Sequence, residues 1–153
     1  RGSDRAEDEL LTIEEERGRD HTYLGDLLRA RQRPAAALRQ YERAVAISGV
    51  TSPVIQSKKA AALLALGRFE DVLAAVEDVL KSYPTYVLLH LYRGEALLRL
   101  GKPGGARAAL EEANGLNPFD PQLHGLLAEA LDALGDSERA AFERRQQAII
   151  TQD

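Results

Sequence analysis

The feature that most constrains this chain is a recurrence at a fixed interval. Gly67, Gly101 and Gly135 are separated by 34 residues each, and Pro84 and Pro118 by the same 34. A period of this length marks an array of similar structural units rather than a single irregular core. A fainter copy precedes them. Gly25, Ala60, Gly94 and Ala128 stand 35, 34 and 34 apart, and Ala37, Val72, Ala106 and Ala140 repeat the same intervals. One extra residue therefore lies between the first and second copies, in the loop Ser48-Gly49-Val50-Thr51-Ser52.

Each copy reads as two helices. Phe69, Val72, Leu73, Val76, Val79 and Leu80 recur at helical spacing as one apolar stripe, opposite Glu70, Asp71, Glu77, Asp78 and Lys81. Ser52-Pro53 and Asp120-Pro121 place a capping side chain before a proline suited to the first helical position. Gly67, Gly101 and Gly135 stand where a left-handed residue ends the first helix of each pair. The column Gly25, Ala60, Gly94, Ala128 predicts close approach of the second helix, with Ala37, Val72, Ala106 and Ala140 as the facing partners. Glycine inside a helix costs about 1 kcal/mol against alanine, so a close crossing is the physical reason to keep it.

Composition excludes several functions. The formal charge of −4 gives no basic excess for nucleic-acid binding, and cysteine is absent, so no disulfide or thiolate chemistry is available. No apolar run approaches the roughly 20 residues of a membrane span, so no membrane insertion is expected. Absence of cysteine does not separate cytoplasm from periplasm. The opening Arg1-Gly2-Ser3 matches an expression-tag remnant.

Catalysis is not expected. His90 and His124 are 34 apart and so occupy equivalent places in neighbouring units. Packed helices lie about 8–10 Å apart, whereas zinc needs nitrogens at about 2 Å, so these histidines read as packing residues with a polar tip. Glu14, Glu15 and Glu16, and the pair Glu111-Glu112, point to different helical faces and read as surface charge. No metal ligand set, cofactor fingerprint or catalytic group emerges.

The stretches "YLGDLLRARQRPAAALRQYERAV" and "LHLYRGEALLRLGKPGGARAALEEANGLNP", at their common period, resemble the tetratricopeptide repeat family. Gly94, Leu97, Gly101, Ala106, Leu110, Ala113 and Pro118 match its pattern. Leu24, Gly25, Leu28, Ala37, Tyr41 and Ala44 match in the first copy, and Ala128, Leu131, Gly135 and Ala140 in the fourth. The fourth departs at Arg144 and Gln147, where an apolar and a small residue belong. The resemblance implies an all-α fold, a right-handed superhelix of stacked helix-turn-helix hairpins. The chain divides into an acidic N-terminal helix or leader at 1–17 and repeats at 18–51, 53–86, 87–120 and 121–153, the last degenerate or capping.

The resemblance also implies a protein-interaction scaffold whose first helices line a concave groove. The carried-over groove positions are Arg19, Tyr23, Asp26 and Arg29 in the first repeat, and Val54, Ser57, Lys58, Ala61 and Leu64 in the second. The third offers Leu88, Leu91, Tyr92, Glu95, Leu98 and Arg99, and the fourth Gln122, Leu126, Glu129 and Asp132. A subset of the family grips a C-terminal carboxylate with lysines and asparagines; Thr22, Asp26, Ser57 and Ala61 stand at those places, so that clamp is largely missing. The expected partner is an apolar or amphipathic protein segment. The groove would be basic near the first two repeats, apolar in the middle and acidic near the fourth. Val87 to Tyr92 is apolar nearly all round its helix, which leaves core packing and an open groove as equal readings for Leu88, Leu91 and Tyr92. The alternative function is a self-association module that dimerises through its terminal helices. The Ala/Leu/Arg-rich character suggests a bacterial origin, with this chain as part of a larger protein.

Overall fold

Proline, glycine and aspartate set the helix ends. The computed structural model describes residues 18–49 and 52–152, with side chains from residue 21 onward. The expected leader at 1–17 lies outside the described residues, as do Val50 and Thr51 of the longer loop. The described residues hold eight α-helices and no strand: α1 Gly18–Ala30, α2 Pro34–Ser48, α3 Pro53–Ala65, α4 Phe69–Ser82, α5 Val87–Arg99, α6 Pro103–Leu116, α7 Pro121–Ala133 and α8 Ser137–Thr151. Prolines open α2, α3, α6 and α7, where a missing N–H leaves no intrahelical bond unmade.

Asp120 caps α7 as its sequence context predicts, accepting from the backbone N–H groups of Gln122 and Leu123 at 2.9 and 3.2 Å. Ser52 does not. Its side chain makes no capping bond, and α3 begins on its backbone carbonyl, which accepts from the Gln56 N–H. Gly67, Gly101 and Gly135 take φ of 71, 71 and 83°, the left-handed turn expected of them. One period earlier the same turn falls on Gln32, with φ 57°. A non-glycine residue there carries a strain of about 1–2 kcal/mol.

The chain divides into two compact units, Arg1–Gly67 and Arg68–Asp153. In the first, α1 packs on α2, α2 on α3, and α1 also touches α3. Its interior is built from Leu24, Leu28, Ala37, Leu38, Tyr41, Ala60 and Leu63. In the second, α4 to α8 pack in succession and α5 touches α7. The core there joins Leu91, Leu97, Ala106, Leu110, Leu123, Leu127 and Leu131.

The small-residue column works as expected, but against different partners. A Cβ at Gly25 would lie 2.4 Å from a ring carbon of Tyr41, and one at Gly94 would lie 2.5 Å from Leu110 Cγ. Tyr41 and Leu110 stand one helical turn beyond Ala37 and Ala106. The two glycines of the column therefore accept a large side chain from the second helix, and do not merely face a second small one.

The histidines are buried and hydrogen-bonded. The Nε2 of His90 donates to the Pro84 carbonyl at 2.7 Å, and that of His124 to the Pro118 carbonyl at 2.6 Å, one period on. His21 Nδ1 meets Gln40 Oε1 at 2.7 Å, and His124 Nδ1 meets Glu143 Oε2 at 2.7 Å, both partners 19 residues on. The corresponding partner of His90 is Ala109, and His90 Nδ1 is buried without a hydrogen bond.

Candidate protein-binding surface

Helical spacing puts Tyr23, Asp26 and Arg29 on one face of α1, and Val54, Lys58 and Ala61 on one face of α3. In the first unit, Tyr23 (60% exposed), Arg29 and Val54 are open to solvent, while Lys58 and Leu64 are partly buried. The side chain of Arg19 lies outside the described residues. Lys58 is not a free cation. Its ammonium donates to Asp26 Oδ2, and the Tyr41 hydroxyl donates to Asp26 Oδ1 at 2.7 Å. Burial pushes the Asp26 carboxyl up, but these two hydrogen bonds and the charges of Lys58 and Arg29 outweigh it and hold the group below its usual range. The basic character expected of this region is therefore partly cancelled within the surface itself. Ser57, also expected to face outward, is buried, with its hydroxyl on the Val54 carbonyl at 2.7 Å.

In the second unit, Leu88, Tyr92, Glu95 and Arg99 follow one another at i, i+4, i+7 and i+11 along α5. Leu88 is 36% exposed, Tyr92 and Glu95 are partly buried and Arg99 is exposed. Leu91 does not join them. It is 1% exposed and lies in the core with Leu97, Leu110 and Leu123. Leu126 on α7 is likewise buried. The all-round apolar helix thus has both answers at once: its inward side is core, and Leu88 and Tyr92 remain at the surface. The physical reason is that α5 is flanked by α4, α6 and α7, which consume the Leu91 side and leave one edge uncovered.

Two polar contacts tie α5 to α7. Arg99 Nη1 pairs with Glu129 Oε1 at 2.7 Å, and Gln122 Nε2 reaches Glu95 Oε2 at 3.5 Å. The acidic end expected at Glu129 is neutralised by this ion pair. Asp132 is similarly tied to Arg144. Glu95 is the carboxylate left without a cation in hydrogen-bond contact. Burial raises its affinity for a proton, Arg99 draws it back, and Glu129 adds to the rise; the net effect lifts it above the ordinary carboxylate range. Sequence reasoning named Glu95 but missed this tension, which comes first from burial of the carboxyl on folding, then from Arg99 on its own helix and Glu129 on α7.

Among the described residues no group of three or more His, Cys, Asp or Glu could hold a metal ion, and no helix is long and apolar enough to cross a membrane.

Known proteins share this geometry. Two models described as "Tetratricopeptide repeat" match residues 63–130 and 121–141, together just over half of the 153 residues. The chain is 33% identical over 86 residues to the TPR repeat-containing thioredoxin TTL4 of Arabidopsis thaliana, which is 56% of this chain and only 12% of that protein's length. Among solved structures, a thermophilic TPR protein of Thermus thermophilus superposes with a TM-score of 0.79 at 23% identity, covering 88% of this chain and 75% of that one. MamA from Desulfovibrio magneticus RS-1 superposes at 0.78 and 17% identity, covering 90% and 78%.

Proposed function

This chain belongs to the tetratricopeptide repeat family, and from that premise we propose that it holds an amphipathic segment of another protein against its first helices. The fold is an all-α solenoid of such repeats. Scaffolds of this kind are typically non-catalytic, and the reading assigns no reaction to the chain. The repeat assignment 18–51, 53–86, 87–120 and 121–153, after an acidic leader at 1–17, is part of the proposal.

The observation that carries it is the edge of α5. Leu88 and Tyr92 offer an apolar anchor point, and two turns along the same face Glu95 is a partly buried carboxylate without a cation in contact. A segment with an apolar side chain over Leu88 and Tyr92, and a lysine or arginine reaching Glu95, would satisfy both. Within the second unit Arg99 and Glu129 belong to the same proposed surface; in the first unit Tyr23, Arg29, Val54 and Leu64 are proposed as partner-binding residues of that unit by itself.

The test is a selection from a random peptide display library, followed by affinity measurement on variants. Selected ligands should pair an apolar residue with a basic one. Tyr92→Ala should weaken them by on the order of 2 kcal/mol with only a small fall in melting temperature. Unchanged affinity in both Tyr92→Ala and Glu95→Gln would overturn the assignment.

A further inference from the structure

The last helix carries a second apolar face that the repeat architecture does not account for. Its inner side packs on α7 through Ala140 and the Glu143–His124 pair. On the outer side, Glu138, Ala141, Phe142, Arg145, Ala148, Ile149 and Gln152 follow the 3-4-3 spacing of a helix–helix seam, and all are exposed. Phe142 is 48% and Ile149 62% exposed, and with Phe119 at 76% they line one cleft. These three large apolar side chains are thus left open together in one place.

The chain contains its own control. One period earlier, Phe119, Phe142 and Ile149 correspond to Thr85, Ala108 and Gly115. Ala108 and Gly115 lie on α6, which α7 and α8 follow, and both are still exposed. A following repeat therefore does not cover this face, and its apolar residues in the fourth copy are not simply waiting for one. Three small or polar residues have become two phenylalanines and an isoleucine where stacking asks for nothing.

We infer that this face of α8 is a two-fold seam between two copies of the chain, with the helices antiparallel. The occupant is chosen by charge. Glu138 and Arg145 are seven residues apart on the exposed stripe, and neither makes an ion pair among the described residues. The other two arginines of α8 are engaged: Arg139 with Glu111 at 3.0 Å and Arg144 with Asp132. Arg145 instead sits over the Phe142 ring at 6.0 Å. In an antiparallel pair centred between Ala141 and Phe142, Glu138 of each copy meets Arg145 of the other. Phe142 and Ala141 fill the middle, and Ile149 reaches past the start of the other copy's α8 to the position of its Leu134, which is 43% exposed. A two-fold interface must be self-complementary in this way. The inference does not rest on the proposed ligand-binding residues, none of which lies on α8.

Sedimentation equilibrium of the full chain over a concentration series tests it. A single helix pair is at the small end of specific interfaces, so dissociation on the order of 100 µM is expected. The charge reversals Glu138→Arg and Arg145→Glu should each weaken the dimer about 10-fold or more, because each sets like charges opposite one another. The double reversal swaps both partners and should restore association to within a few-fold of the wild type. Circular dichroism confirms that each variant stays helical, and Phe142→Ser supplies a charge-independent check. A wild-type mass of one chain at about 1 mM, dimers that survive Phe142→Ser unchanged, or single reversals that the double does not rescue would each overturn the seam.

Discussion

Replacing Gly94 by alanine sets two effects of known size against each other. Alanine in a helix interior is favoured over glycine by about 1 kcal/mol. The new Cβ, however, would lie 2.5 Å from Leu110 Cγ and 2.7 Å from its Cδ2, closer than real Cβ contacts come. Leu110 is fully buried in the core cluster, so it can yield only by moving against packed neighbours. Overpacking of this kind costs about 1–3 kcal/mol. The net expectation is a loss of up to about 2 kcal/mol, despite the better helix former. Gly115→Ala on α6 is the control, since its Cβ would meet nothing within 4 Å. That change should gain about 0.4–1 kcal/mol. Urea midpoints at unchanged slope measure both variants. Leu110→Ala then completes a cycle: it should cost less in the Gly94→Ala background than in the wild type, because it removes the clash as well as the contact. A Gly94→Ala variant as stabilised as Gly115→Ala, or a Leu110→Ala cost that is the same in both backgrounds, would refute the close crossing.

Four further outcomes are expected. Glu95→Gln should raise the melting temperature at neutral pH. The raised affinity of Glu95 for its proton gives stability that is full below the unfolded value of about 4.3 and is lost as pH rises through the folded one, so the advantage of the amide should vanish below about pH 4. Asp26 has the opposite sign: its depressed value gives stability present above about pH 4 and lost as pH falls, and Tyr41→Phe, by removing one hydrogen bond, should move that acid loss to higher pH in a thermal scan. Glu143→Gln should be tolerated to within about 1 kcal/mol, since Gln40 already serves His21 in that place, whereas Glu143→Ala should cost about 1–3 kcal/mol in urea unfolding by leaving His124 Nδ1 unpaired. Gln32→Gly should stabilise by about 0.5–1 kcal/mol, the left-handed strain less the extra freedom of glycine in the unfolded chain, readable as a shift in urea midpoint.

The period, the helix pairs and most of their ends were legible in the residues alone. These depend on local chemistry: a proline that opens a helix, a glycine that turns left-handed, an aspartate that caps, and apolar residues at helical spacing. The turn at Gln32 obeys the same period, falling one repeat before Gly67. The resemblance to a repeat family needed nothing beyond these signals. What stayed open was decided wherever two helices compete for one side chain. Leu88 and Leu91 are three residues apart and chemically identical, yet only packing by α4, α6 and α7 sends one inward and leaves the other at the surface. Lys58 and Glu129 read as free charges, and became ion-paired only when folding brought Asp26 and Arg99 to them. The same holds for Tyr41 and Leu110 against the glycines. Periodicity fixes which residues share a face, but contacts between helices 15 to 32 residues apart decide what that face has left to offer.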